Sequence, residues 1–433
     1  MLQSATIVPA DTAWMLASTA LVLLMTPAAA FFYGGLVRAK NALNTMMMCL
    51  SSLGVVGVLW ALFGYTLAFG GTGRWLGGVQ HLFLRDVGLE AHGTIPHVLF
   101  MAYQGTFAVV TAVLIAGAVV ERMRFGAYLA FIAAWSLVVY APIAHWVWGG
   151  GWLAQLGVLD YAGGTVVHIN AGVAAAIAAV LVGGRKDYGR QAMLPHNVPF
   201  VLLGTSLLYF GWFGFNAGSA LAANGAAALA FTNTMFAPMA SLAVWMAIDA
   251  ARTGRATAVG AATAIVIGLV VITPAAGFVS PMAALAMGAL GVVPSYFAIV
   301  WRARTRLDDS LDVLAGHGIG GISGALLTGV FASATWGGTD GLLHGHAAQL
   351  GLQAIGVAAT IAYSAVATFA LLKLIGLVLP LRAATQAEGI GMDITQHGEE
   401  AYSEGEGAVL VFHESAPPAP AVARATFTTA EVA

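Results

Sequence analysis

What constrains this chain most is its series of long, uncharged apolar runs, parted by short turns such as GGTGRWLGG, GGRKDYGR and WRARTRLDD. A helix rises about 1.5 Å per residue, so roughly 20 apolar residues cross the hydrocarbon core of a bilayer. Eleven segments qualify, at about 12–34, 44–70, 97–121, 126–148, 162–183, 199–222, 229–250, 256–273, 277–300, 310–333 and 350–380. Backbone groups in lipid have no water to bond, so each run is expected to be a helix. The expected fold is an all-α polytopic membrane protein. Composition agrees, since 59% of the 433 residues are hydrophobic and 8% are charged, against about 25% charged in soluble domains. The net charge of −2 carries no nucleic-acid signal. The 54 glycines suit close helix packing in lipid. The single cysteine, Cys49, lies in an apolar run and reads as a buried thiol, with no disulfide framework.

The first run ends at TPAAA, which looks like a signal cleavage site. No Lys or Arg precedes it, the first being Arg38, so the segment is expected to stay as a helix. Basic residues then set the orientation. Alternate loops carry Arg38, Lys40, Arg122, Arg124, Arg185, Lys186, Arg190, Arg252, Arg255, Arg302, Arg304 and Arg306, and the other loops only Arg74 and Arg85. The basic set is expected in the cytoplasm, with the N-terminus outside and the C-terminus inside. The spanning domain is placed at 1–380 and a cytoplasmic tail at 381–433. The tail is rich in Glu and then in Ala and Pro, which predicts a short ordered stretch followed by disorder.

Two segments echo each other. HINAGVAAA from His168 and HGIGGISGA from His317 share H-x-x-x-G and then small residues, and an aspartate precedes each histidine, Asp160 and Asp312. They lie on the fifth and tenth runs. Five helices apart means opposite direction, which is the pattern of an inverted repeat with one extra helix. Such repeats place a transport site near the midplane. Ionisable groups within a membrane are functional by default, and His168 and His317 are the two histidines deep in runs. Their plain reading is two core residues bonded to backbone carbonyls. Asp160, at a helix start, reads equally as an N-cap. Lys373 lies near the inner end of the last run and is expected to snorkel. No second histidine suggests haem, and H-E-x-x-H is absent; no cofactor or metal is expected.

The topology puts Tyr103 and Phe107 on one face in the outer half of the third helix, and Phe215 and Ser219 likewise on the sixth. Trp148 ends the fourth at similar depth. Singly each aromatic reads as packing. Together Phe107, Trp148, Phe215 and Ser219, at similar depth, can form an aromatic cage with one hydroxyl, attractive to a small cation.

DYAGGTVVHINAG from Asp160 resembles the signature of the ammonium transporter (Amt/Mep/Rh) family, in its bacterial Amt branch. So do FFYGGLVRAKN from Phe31, YQGTFA from Tyr103, GAVVERMRF from Gly117, HWVWGGGWL from His145, GWFGFNAGS from Gly211, DVLAGHGIGG from Asp312 and HGEEAY from His397. The resemblance implies a homotrimer of eleven-helix subunits, each with its own pore, in the inner membrane. It implies an outer ammonium site at Phe107, Trp148 and Ser219, supported by the buried acid Asp160. It implies a gate of Phe107 on Phe215, and His168 and His317 as the pore pair. Tyr103 replaces a phenylalanine of many relatives, a change expected to matter little. A PII-type nitrogen signalling protein is the implied partner at the cytoplasmic face. The start of the tail pattern is diluted by alanines.

Three rival readings follow from the same residues. A gas channel of the Rh type fits Trp148 and Ser219 less well. An ammonium sensor would use the same site and signal through its tail. An intramembrane enzyme would need a nucleophile–base pair, and none is evident.

Overall fold

The computed structural model describes residues 6–402. The end of the tail, expected to be disordered, lies outside the described residues. Among those described, ten helices are long and apolar enough to cross a membrane. They are α1 Pro9–Leu36, α2 Ala39–Phe69, α3 His97–Val119, α4 Phe125–Leu156, α5 Gly164–Val182, α6 Val198–Gly218, α7 Gly225–Thr253, α9 Pro281–Arg302, α10 Leu314–Phe331 and α11 Ala348–Val378. Between α7 and α9 runs the shorter apolar helix α8, Ala258–Ile272. The eleven expected helices are therefore all present.

Local chemistry explains where their ends depart from the apolar runs. The helix α8 stops before Pro274, whose ring cannot continue it. Eight residues of turn follow, and α9 begins four residues later than its run, at Pro281 after the N-cap Ser280. The Ser280 hydroxyl accepts from the Ala283 amide at 3.2 Å. The helix α7 begins earlier than its run because Asn224 caps it, accepting from the Ala227 amide at 3.1 Å.

Helices α5 and α10 cross near the centre of the bundle. Each opens with one wide π-helical turn, Gly164–Ile169 and Leu314–Ile319, and each turn holds one of the two histidines. The H-x-x-x-G glycines make the crossing possible. A Cβ on Gly172 would lie 2.3 Å from the Gly318 nitrogen, and one on Gly321 would lie 3.0 Å from the Gly164 carbonyl oxygen and 3.1 Å from the His168 Cβ. Each copy of the motif thus packs its glycine on the backbone of the other. That reciprocity is what a two-fold relation between repeats requires.

The basic loops assemble on one face of the bundle. Glu121, with φ +69°, joins Arg38 at 2.9 Å and Arg185 at 2.9 Å. Arg185 also pairs with Asp308 at 2.8 Å. Burial alone would raise the Glu121 carboxyl, but the Arg185 and Arg38 guanidiniums outweigh it and hold it below the usual range. The tail docks on this face through two short helices, α12 Thr385–Ile390 and α13 Met392–His397. Asp393 accepts from the Leu43 and Asn44 amides at 3.0 and 2.7 Å, near the start of α2. Glu388 accepts from the Lys186 amide at 3.0 Å and pairs, within the tail, with Arg382 at 2.6 Å. Cys49 is free and buried. Lys373 is exposed, with Nζ 5.5 Å from the Phe369 ring centre.

Candidate functional site

Three cavities follow one another through the bundle. The first, of ≈ 280 Å³, is lined by Phe107, Trp148, Ser219, Phe69, Phe100, Gln104 and Tyr161 among others. The second is only ≈ 20 Å³ and lies among Phe215, His168, His317, Trp212, Phe32, Tyr33 and aliphatic side chains. That is room for about one water molecule. The third, of ≈ 500 Å³, reaches from His317 to Asp312, Arg302 and Arg185 on the basic face.

Between the first and second stand two rings. Phe107 stacks on Phe215 with centroids 4.2 Å apart and planes at 27°. Both are buried. The stack stands between the first cavity, which Phe107 lines, and the second, which Phe215 lines. Trp148 meets Phe107 edge-on at 5.8 Å and 90°. The predicted cage residues therefore converge: Phe107, Trp148 and Ser219 share one cavity, with Phe215 directly behind.

Trp148 is held by its indole N–H, which donates to the Asp160 carbonyl at 2.9 Å. The Asp160 carboxylate accepts from the Gly163 and Gly164 amides at 2.8 and 2.6 Å, and from Thr165 and Val166 at 2.8 and 3.2 Å. The Thr165 hydroxyl donates to it as well. It thus caps the free N–H groups that open α5. Gly163, at φ +118°, makes the turn that lets it do so. Asp160 is 6% exposed and does not line the outer cavity; it touches the cage only through Trp148.

The histidine rings lie nearly parallel, 22° apart, with Nδ1 facing Nδ1 at 3.2 Å. Two nitrogens at that distance share one proton, since a lone pair must face a hydrogen. One ring then leaves an acceptor Nε2 and the other a donor Nε2–H. The Nε2 of His168 is buried and has no protein partner. The backbone-carbonyl reading of the two histidines does not hold, because each Nδ1 faces the other ring. Among the described residues, no three His, Cys, Asp or Glu converge as a metal site.

Three features were not anticipated. Trp212 stacks on His168 at 5.5 Å and 21°. It stands three residues before Phe215, a spacing that puts both on one face of α6. The Tyr103 hydroxyl, expected to matter little, reaches the last turn of α6. The acid that corresponds to Asp160 is Asp309 rather than Asp312. Asp309 accepts from the Leu314 amide at 2.7 Å and so caps α10, whereas Asp312 turns at φ +59° and pairs with Arg302. The spacing carries this signal: 168 − 160 and 317 − 309 are both eight.

A polytopic bundle whose narrow apolar passage joins two wider mouths has the architecture of a membrane transport protein. The chain belongs to the Ammonium Transporter Family, which it matches over residues 13–402. It is 46% identical over 400 residues to an ammonium transporter of Bacillus subtilis (strain 168), covering 91% of this chain and 98% of the relative. It is 43% identical over 396 residues to ammonium transporter Amt1 of Archaeoglobus fulgidus, covering 91% and 99%. Among solved structures it resembles Mep2 of Candida albicans, with TM-score 0.82, 37% identity and coverage of 86% and 85%. It also resembles a protein named as a sensor Amt protein, with TM-score 0.84, 29% identity and coverage of 90% and 98%.

Proposed function

We propose that this protein takes up ammonium across the cytoplasmic membrane by capturing the cation outside and passing neutral ammonia through the bundle. Phe107 and Trp148 offer ring faces to the cation, and Ser219 offers a hydroxyl oxygen. The Phe107–Phe215 stack gates the passage below. A bare cation in so dry a passage would lose its hydration for almost nothing in return. Transfer of one proton to water in the outer cavity, leaving ammonia and hydronium, removes that penalty. The remaining molecule can donate and accept hydrogen bonds, and the two free Nε2 edges of His168 and His317 match it. Asp160 keeps Trp148 and the start of α5 in place, and sets a negative charge beneath the cage.

The observation that carries this reading is the imidazole pair itself: two coupled histidines line a ≈ 20 Å³ apolar cavity directly behind a two-ring gate. A polar pair in so small a space suits a small neutral guest. By family likeness we further propose a homotrimer in the inner membrane, each subunit with its own passage. The distribution of Arg and Lys supports an outer N-terminus and an inner tail. A PII-type nitrogen signalling protein docking over the ≈ 500 Å³ inner mouth is the proposed partner. Docking of the tail on this same face supports that proposal, because the tail can sense or transmit what binds there.

The deciding experiment is uptake into proteoliposomes of ammonium, methylammonium and potassium. Because a sensor Amt protein is among the structural relatives, movement of substrate has to be measured rather than binding alone. A protein that binds ammonium but moves none is a sensor.

A further inference from the structure

The outer cavity shows one serine, and behind that serine stands a phenol with no place in the capture site. Tyr103 is 1% exposed and does not line the cavity. Its ring meets Phe107 at 5.0 Å. Its oxygen lies 3.0 Å from the Gly214 carbonyl, 2.9 Å from the Phe215 carbonyl and 3.3 Å from the Ser219 hydroxyl. Ser219 in turn donates to the Phe215 carbonyl at 2.8 Å. A Cβ on Gly218 would come within 2.7 Å of the phenol oxygen, so the glycine leaves the room that this hydroxyl fills.

Two hydroxyl hydrogens face the Gly214 and Phe215 carbonyls, and the Phe215 carbonyl, in the last turn of α6, lacks an intrahelical donor. Ser219 gives its hydrogen to Phe215 and Tyr103 gives its own to Gly214 or Phe215. Both hydrogens then point away from the cavity, and Ser219 turns lone pairs toward it. An ammonium ion has only donors to offer, so lone pairs are what it needs. The phenol oxygen, 3.3 Å away, is a second inward acceptor for the serine hydrogen beside the Phe215 carbonyl; without it one inward acceptor remains, and orientations that turn the hydrogen outward, against the cation, gain weight.

We infer that Tyr103 is a positioning residue, whose hydroxyl fixes Ser219 as a hydrogen-bond acceptor for the captured cation. This rests on the capture-site reading above. The phenol also ties α3 to α6 beside the gate, but its effect on capture runs through Ser219.

The test is a double-mutant cycle on ammonium uptake in proteoliposomes, with KM, Vmax and thermal stability measured for wild type, Tyr103→Phe, Ser219→Ala and the double variant. Tyr103→Phe keeps the ring and removes one oriented hydrogen bond, so KM should rise about fivefold with Vmax unchanged. In the Ser219→Ala background the same change should leave KM where Ser219→Ala has put it. Equal KM for Tyr103→Phe and wild type overturns the inference, even with a loss of stability, because the phenol is then only a clamp. Additive effects on KM overturn it too, because the phenol then acts independently of Ser219. If Ser219→Ala alone leaves KM unchanged, the capture-site reading fails, and this inference with it.

Discussion

A tryptophan at the rim and a histidine in the lumen should fail differently when replaced. Trp148 presents a ring to the cavity from within α4, its indole held by one hydrogen bond to the Asp160 carbonyl. Trp148→Leu leaves an apolar side chain there and keeps the fold. A cation–π contact shielded from water contributes about 2 kcal/mol, so the concentration for half-maximal ammonium uptake should rise more than tenfold. An unchanged concentration dependence would mean that the cage is packing alone. His168 lies beyond the Phe107–Phe215 stack and should not affect capture. His168→Asp places a carboxylate beside His317, where it draws in water and cations, so rejection of potassium should weaken even if ammonium still passes. His168→Ala removes one of the two polar edges and should slow ammonium without admitting potassium. Currents carried by potassium, recorded beside ammonium uptake, separate these outcomes. Identical selectivity in all three proteins would make the histidines structural.

Asp309 brings pH to the scale of an element. It caps α10 from a fully buried position, with one carboxylate oxygen unpaired. Burial, and after it the neighbouring Asp312, push its carboxyl up to about 6, from an ordinary value of about 3.9. A folded-state pKa above the unfolded one contributes stability that is full below about pH 4 and is lost as pH rises through 6. A two-unit difference corresponds to roughly 3 kcal/mol. Asparagine caps about as well and does not titrate. The melting temperature of Asp309→Asn relative to wild type should therefore rise between pH 4.5 and pH 7. The same difference at both pH values would show that Asp309 ionises freely. Other groups, Asp308 and Glu121 included, cancel in that comparison.

The same element shows how far the residue pattern could be read. Helix existence was legible throughout, because apolar length alone decides it in lipid. Bounds were not, wherever a single residue ended a helix inside an apolar run, as Pro274 and Asn224 do. The two histidines and the cage residues were legible because few polar groups compete for attention in so apolar a chain. The π turns of α5 and α10 left no signal in the sequence, since an extra residue in a turn alters no periodicity over so short a stretch. Asp312 was the wrong partner for Asp160 because nearness to the histidine was weighed above the shared eight-residue spacing. The Tyr103 hydroxyl was undervalued because its acceptors are backbone carbonyls of another helix, which no side-chain pattern reveals.

At the scale of the whole molecule, the basic loops and the tail form one interlocked face, and the three cavities run from the opposite mouth to it. Exposed positions on the two faces can be told apart by an impermeant thiol reagent, because Cys49 is buried. Cysteines at Arg304 and His344 should label from opposite sides of a sealed membrane, Arg304 from within. Labelling of both from one side would remove the inverted arrangement of the repeats along with the orientation. The account as a whole stands on selection by dehydration: a cation is recognised outside, and only the neutral molecule passes. Its most direct test is ion movement into proteoliposomes of the wild-type protein, with ammonium and potassium offered in turn and together. The account predicts saturable entry of ammonium, with no entry of potassium and no slowing of ammonium by it. Potassium entering at a comparable rate, or ammonium failing to enter, would contradict it.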